Sequence, residues 1–234
     1  MDLRNKVALV TGGSSGIGRG IAETLLASGS RVAITGRNQS RLNATASAIG
    51  AHPVQADVSR QTDAARTIQE VLDKFGNLDI LINNAGSGVF KPLVEMDLDG
   101  FQRTFATNVT GAFLMAREAA RHFIARKQGD IVNIGSTASL RGAANGTAYY
   151  ASKFALRGMT ECWRAELRKH NIRVFLVNPS EVITSFGTAA GFQQKDHPSK
   201  LRPEDIAHAV KSMLEMNDRG FVPELTVFAT NPVD

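Results

Sequence analysis

The chain contains a single cysteine in 234 residues. No internal disulfide can form, so a fold of this length must rest on its apolar core. Cys162 lies beside Trp163 in a helix-like stretch and is expected to be a small buried side chain in a reducing compartment. Aromatic residues are scarce at 6%, with one tryptophan and two tyrosines, and they form no platform interleaved with basic residues. Lysine and arginine outnumber acids by 27 to 22, yet they are dispersed and form no cluster. The net charge of +5 therefore reads as a solvated basic surface that suits an anionic small molecule better than nucleic acid. No run approaches the roughly eighteen apolar residues of a membrane span. Residues 1–6 also lack a signal-peptide core, so a soluble cytoplasmic protein is expected. The five histidines (His52, His122, His170, His197 and His208) show no metal-ligand spacing, and no metal is expected.

What is present is a regular alternation. Strand-like runs occur at Val7–Val10, Arg31–Thr35, around Val54, at Asp79–Asn83, Asp130–Ile134 and Arg173–Val177, with a last one between Phe221 and Phe228. Helical stretches separate them: Ile17–Ala27, Ser40–Ile49, Gln61–Phe75, a long one over about Asp99–Lys127, Tyr149–Lys169, and one from Pro203. Short, continuously apolar strands between helices imply a parallel sheet covered on both faces. Right-handed crossovers then predict an α/β, doubly wound Rossmann-type domain with a mostly parallel seven-stranded sheet. No linker, repeat or low-complexity tract interrupts the pattern, so residues 1–234 read as a single domain.

The first strand runs into Thr11-Gly12-Gly13-Ser14-Ser15-Gly16-Ile17-Gly18, which opens the first helix. Glycines there permit a tight turn and close approach of backbone N–H groups to a pyrophosphate, and the helix N-terminus adds partial positive charge. An acid at the end of the second strand would bond a ribose 2′-hydroxyl. Instead the strand ends Thr35-Gly36-Arg37, and an arginine there favours a 2′-phosphate, hence NADP(H) over NAD.

These residues, with others in the same order, resemble the short-chain dehydrogenase/reductase family from Val7 to about Thr184. Gly12, Ser14, Ser15, Gly16, Ile17 and Gly18 match its glycine-rich signature, and Asp57-Val58 the pair at the adenine ring. Asn83-Asn84-Ala85-Gly86 matches the motif that supports the sheet and lines the cofactor pocket. Asn108, Ser136, and Tyr149 with Lys153 match the catalytic asparagine, serine and Tyr-x-x-x-Lys motif. Asn178-Pro179, Val182 and Thr184 match the segment around the nicotinamide. Only Tyr149, of the two adjacent tyrosines, stands four residues before a lysine on one helix face. Tyr150 points about 100° away and suits packing or the substrate cleft.

The resemblance implies hydride transfer between NADP(H) and a small carbonyl or alcohol substrate, with Tyr149 as general acid/base. A nearby Lys153 ammonium is expected to favour the tyrosine phenolate. By resemblance, Ser136 orients the substrate oxygen, Lys153 also bonds the nicotinamide ribose, and Asn108 holds a water for proton relay. A homodimer or homotetramer is implied, with the helices from Asp99 and from Tyr149 as interface.

Some features depart from the family. Pro179 is followed by Ser180 rather than glycine, which resists positive φ. The segment at about 185–202 is short and reads as a flexible lid, with Gly187, Gly191 and Gln193-Gln194-Lys195-Asp196. The C-terminal Pro223-Glu224-Leu225-Thr226-Val227-Phe228 lacks the usual Asp-Gly-Gly ending. Ser87, Val89, Phe90, Leu140, Asn145 and Phe186 are pocket candidates. Two other functions stay open. One is a 3-oxoacyl-[acyl-carrier-protein] reductase, for which Arg141, Lys195 and Lys200 would supply a basic patch. The other is a non-catalytic NADP-binding regulatory protein on the same fold.

Overall fold

The computed structural model describes residues 1–191 and 196–231. Strand β1 (Val7–Val10) leads into helix α1 (Gly16–Ala27), followed by β2 (Arg31–Gly36), α2 (Gln39–Ile49), β3 (His52–Gln55), α3 (Gln61–Phe75) and β4 (Ile80–Asn83). Next come α4 (Leu98–Phe105), α5 (Ala112–Arg126), β5 (Gly129–Ile134), α6 (Thr147–Leu167) and β6 (Ile172–Pro179). The short α7 (Phe186–Ala189), α8 (Pro203–Glu215) and β7 (Glu224–Val227) complete the described elements.

The sheet order is β3-β2-β1-β4-β5-β6-β7, and every described pairing is parallel. The sheet is thus wholly rather than mostly parallel, because each connection between neighbouring strands contains a helix that returns the chain to the same edge. Strand order reverses between β1 and β4, where the carboxyl ends of the strands open a crevice.

Burial explains why the strands read as unbroken apolar runs. Alternate residues enter different cores: Ala8, Val10, Ile34, Ile82, Val132 and Val177 pack with α1, α2 and α8. Val7, Leu9, Ala33, Leu81, Ile131 and Val174 pack with α3, α5 and the end of α6. At the strand ends away from the crevice, Arg173 donates to both oxygens of its cross-strand neighbour Asp130 at 2.7 and 2.8 Å. That paired charge ties β5 to β6.

Two expectations about helices change. The long stretch from Asp99 is helical from Leu98 to Arg126 but passes through a π-helical turn at Ala106–Gly111. Gly111 is required there, since a Cβ would stand 2.6 Å from Val58 Cγ2. Cys162 is exposed rather than buried, because α6 turns Ser152, Lys153, Leu156, Thr160 and Leu167 inward and leaves position 162 off that face.

Candidate active site

The loop after β1 can hold its shape only with glycine. Gly12 and Gly16 have φ of +64° and +53°, the left-handed region that costs other residues. A Cβ at Gly18 would lie 2.4 Å from Asn84 Nδ2 and 2.6 Å from the Gly12 carbonyl oxygen. Ser15, at the N-cap of α1, makes no capping bond. The first N–H groups of the helix thus face the cleft that Ser14, Ser15, Gly16 and Ile17 line. This is the geometry of an anion cradle.

Asn84 anchors the cradle: its side-chain amide donates to the carbonyls of Thr11 at 2.9 Å and Gly12 at 3.3 Å. Thr11 Oγ1 accepts from the backbone N–H of Asn84 and of Ala85, each at 3.0 Å. The chain ends of β1 and β4 are thereby locked together beneath the crevice.

The cleft continues past Gly36, Arg37, Arg41, Asp57 and Val58 at one end, and past Gly86, Ser136, Tyr149, Lys153, Pro179, Val182 and Thr184 at the other, with a volume of about 510 Å³. All the sequence-predicted cofactor residues except Gly18 line it, and Gly18 lies directly behind. Burial pushes Asp57 up, but hydrogen bonds from Ser59 and the charges of Arg37 and Arg60 outweigh it and leave the acid below its ordinary value. Arg41 was missed by the sequence reading. Its backbone N–H bonds the Asn38 cap of α2, which sets its side chain beside Arg37 on the first turn. Among the described residues, neither guanidinium makes an ion pair or hydrogen bond. The available signal was the spacing Arg37-x-x-x-Arg41 at the start of a helix.

At the other end, β5 delivers Ser136 and α6 delivers Tyr149 and Lys153. Ser136 caps the turn Thr137–Ser139, accepting from the Ala138 N–H at 3.1 Å. Lys153 is 5% exposed. Its ammonium donates to the Ile134 carbonyl at 2.8 Å and stands 5.7 Å from the Tyr149 ring centre. Burial lowers its pKa to about 8.

Tyr149 departs from expectation. Burial pushes its pKa up to about 12, and a hydrogen bond with Ser136 only partly opposes this. The Lys153 ammonium gives one of its N–H donors to the Ile134 carbonyl and lies over the ring, and it does not offset this burial of the phenol. The burial comes from Phe90, Phe186 and Tyr150, whose ring centres lie 5.3, 5.5 and 6.0 Å from that of Tyr149.

Asn108 sits in the π-helical turn, 1% exposed. Its Oδ1 accepts from the Ser87 N–H at 2.8 Å, and its Nδ2 donates to the Ser87 carbonyl and to Ser152 Oγ, both at 2.9 Å. Ser152 donates in turn to the Tyr149 carbonyl at 2.7 Å. Both amide hydrogens are therefore committed to positioning Ser87 and Ser152, while Oδ1 keeps a second lone pair that can accept a further hydrogen bond.

Of the pocket candidates, Phe90 and Phe186 line the cleft, as does Tyr150, whereas Ser87, Val89, Leu140 and Asn145 do not. Ser180 avoids positive φ and donates its N–H to the Val227 carbonyl at 2.8 Å, so serine fits without strain. The structure bears on the expected lid only at its described residues. The segment carries α7, and its two legs are joined by the Val182–Leu201 bridge and by Lys200–Glu181 at 2.8 Å. Gln193, Gln194 and Lys195 lie outside the described residues.

The family described as short chain dehydrogenase matches residues 6–195. The chain belongs to the short-chain dehydrogenase/reductase family. (+)-Borneol dehydrogenase 2 of Salvia officinalis is 40% identical over 193 residues, 80% of this chain and 68% of that one. A 3-ketoacyl-(acyl-carrier-protein) reductase from Brucella melitensis, solved with NADH, superposes with a TM-score of 0.89 at 31% identity, covering 96% of each chain. An alcohol dehydrogenase from the archaeon Thermococcus sibiricus, solved with 5-hydroxy-NADP, has a TM-score of 0.88 at 28% identity, covering 99% of this chain and all of that one. The chain is thus an NAD(P)-binding oxidoreductase of this family. No described helix is long and apolar enough to cross a membrane.

Proposed function

We propose that the protein is an NADP(H)-dependent ketone reductase that uses Tyr149 as its general acid/base. The observation that carries this reading is the polarity of the cleft. Two unpartnered arginines stand at one end, and the Ser136, Tyr149 and Lys153 set stands at the other, joined by a glycine cradle. The cradle and α1 N-terminus suit a pyrophosphate, and Arg37 with Arg41 suits a 2′-phosphate.

When bound, the nicotinamide supplies the hydride. Ser136 orients the carbonyl oxygen, and the Tyr149 hydroxyl gives its proton to that oxygen as negative charge develops. Lys153 holds its position through Ile134 and offers its remaining N–H donors to the cofactor ribose. Asn108, through Ser87 and Ser152, fixes the backbone on either side of the phenol. A tyrosine held near 12 keeps its proton at neutral pH, which suits the reductive direction.

The acyl-carrier reading is less well supported. Lys200 is tied to Glu181, leaving exposed Arg141 as the one described contributor to the expected patch. Phe113 on α5 and Phe154 on α6, 40% and 44% exposed, support a homo-oligomer through these helices. The deciding experiment is NADPH and NADH oxidation over ketones, diketones and 3-oxoacyl thioesters. Faster NADPH oxidation with ketones is expected, and preference for thioesters, or for NADH, would overturn the corresponding part of the reading.

A further inference from the structure

The chain has few aromatic residues, yet among the described residues both tyrosines, Phe90 and Phe186 are gathered in one cluster. Three of them, Phe90, Phe186 and Tyr149, converge on the backbone of Gly88, and Tyr150 stands edge-on to Tyr149 with ring centres 6.0 Å apart. A Cβ there would lie 2.9 Å from Phe90, 3.1 Å from Phe186 and 3.1 Å from Tyr149. Phe90 comes from the loop after β4, Tyr149 and Tyr150 from α6, and Phe186 from α7. All four line the cleft.

The charged lining residues are distributed unevenly. Arg37, Arg41 and Asp57 stand at the far end. Near the phenol, Lys153 is buried and bonded to the Ile134 carbonyl, and Glu181 is paired with Lys200. No cation of the described lining is left on the aromatic side to receive an anionic substrate. Burying an unpaired charge against three rings is costly, whereas apolar surface gains from each ring it covers.

We infer that this cleft takes an uncharged, apolar ketone or secondary alcohol with a compact ring-bearing body, seated between Phe90, Phe186 and Tyr150. The inference rests on the reductase reading above. A rigid body touches the three ring faces at once, whereas a straight chain meets fewer of them and loses more torsional freedom on binding.

The test is isothermal titration calorimetry on protein saturated with NADP+, with NADPH turnover followed in parallel. One probe pair is decalone against straight-chain decanone. The other is the methyl ester of oxocyclohexane carboxylic acid against its free carboxylate. Decalone should bind about tenfold tighter than decanone, and the ester about tenfold tighter than the acid. Phe90→Ala and Phe186→Ala should each weaken decalone binding about fivefold, the loss of one aromatic contact, while NADP+ affinity stays near wild type. Equal or reversed preference in either pair overturns the inference, and so does an unchanged decalone affinity in both folded variants. If the variants do not fold, the two wild-type pairs decide. The expected binding preferences without any turnover would uphold the substrate class and overturn the reductase reading.

Discussion

Tyr149 and Lys153 stand four residues apart on α6, and burial moves their proton affinities in opposite directions. Tyr149 is raised from 10.0 to about 12 and Lys153 is lowered from 10.5 to about 8. The signs for stability follow from linkage. Between about 8 and 10.5 the unfolded lysine holds a proton that the folded one has lost, so stability rises with pH. Between 10.0 and about 12 the folded tyrosine keeps a proton that the unfolded one has lost, so stability falls. Urea unfolding of the cofactor-free protein across both windows should show the rise and then the fall. Lys153→Met should remove the first slope and Tyr149→Phe the second. Unchanged slopes would mean that other groups set the profile. Tyr149→Phe should also lower turnover by about a thousandfold, the middle of the range for removing a general acid, with NADPH affinity nearly intact. Near wild-type reduction by that variant, followed at the nicotinamide absorbance, would remove the assigned proton donor.

Residue spacing made this pair legible, because i,i+4 fixes a shared helix face whatever surrounds it. The raised tyrosine was not legible, since its cause is packing by Phe90 and Phe186 from distant segments. Arg41 was missed for a similar reason: its spacing from Arg37 is a weak signal on its own, and it is the cleft that sets both arginines with Asp57 at one end. Arg41→Ala should weaken NADPH binding roughly fivefold and leave NADH unaffected, with a shallower salt dependence, as loss of one exposed phosphate contact requires. Arg37→Asp should go further and turn preference towards NADH. Fluorescence titrations with both cofactors check this, and an unchanged ratio in both variants would show that neither arginine reads the 2′-phosphate.

At the scale of elements, α1 meets the cradle so closely that position 18 cannot carry a side chain. Gly18→Ala would drive Asn84 Nδ2 away from the Thr11 and Gly12 carbonyls that it now bonds. Overpacking plus unpaired buried groups should cost about 2–4 kcal/mol, read from urea unfolding, and NADPH affinity should fall as the loop shifts. A stable variant with intact binding would mean that α1 can move outward without disturbing the cradle. The strands were readable because burial on both faces makes them continuously apolar. β3 was reduced to Val54 because His52, Pro53 and Gln55 occupy an edge strand whose outer side needs no partner. The π-helical turn was invisible. Its demand comes from the Asn108 bonds to Ser87 and Ser152, and residues 98–126 keep an ordinary helical pattern through it.

For the molecule as a whole, the cleft crosses the sheet at the reversal between β1 and β4, so a dinucleotide would touch both halves of the domain. The β3-β2-β1 side supplies Arg37, Arg41 and Asp57, and the β4-β5-β6 side supplies Gly86, Ser136 and Pro179. A ligand that bridges the halves binds only the folded chain and stabilises it by mass action. At about a hundred times its dissociation constant, NADPH should add about 2.7 kcal/mol, which for a chain of this length raises Tm by about 5–10 °C. NADH at the same concentration should raise it less, because the two arginines have no phosphate to pair with. In Arg37→Asp the order should reverse, since the new carboxylate repels the 2′-phosphate and bonds the ribose hydroxyl instead. Differential scanning calorimetry measures all four combinations without any substrate. Equal rises for both cofactors in the wild-type protein would locate their binding energy in the pyrophosphate cradle alone and leave the arginines without a role in cofactor choice.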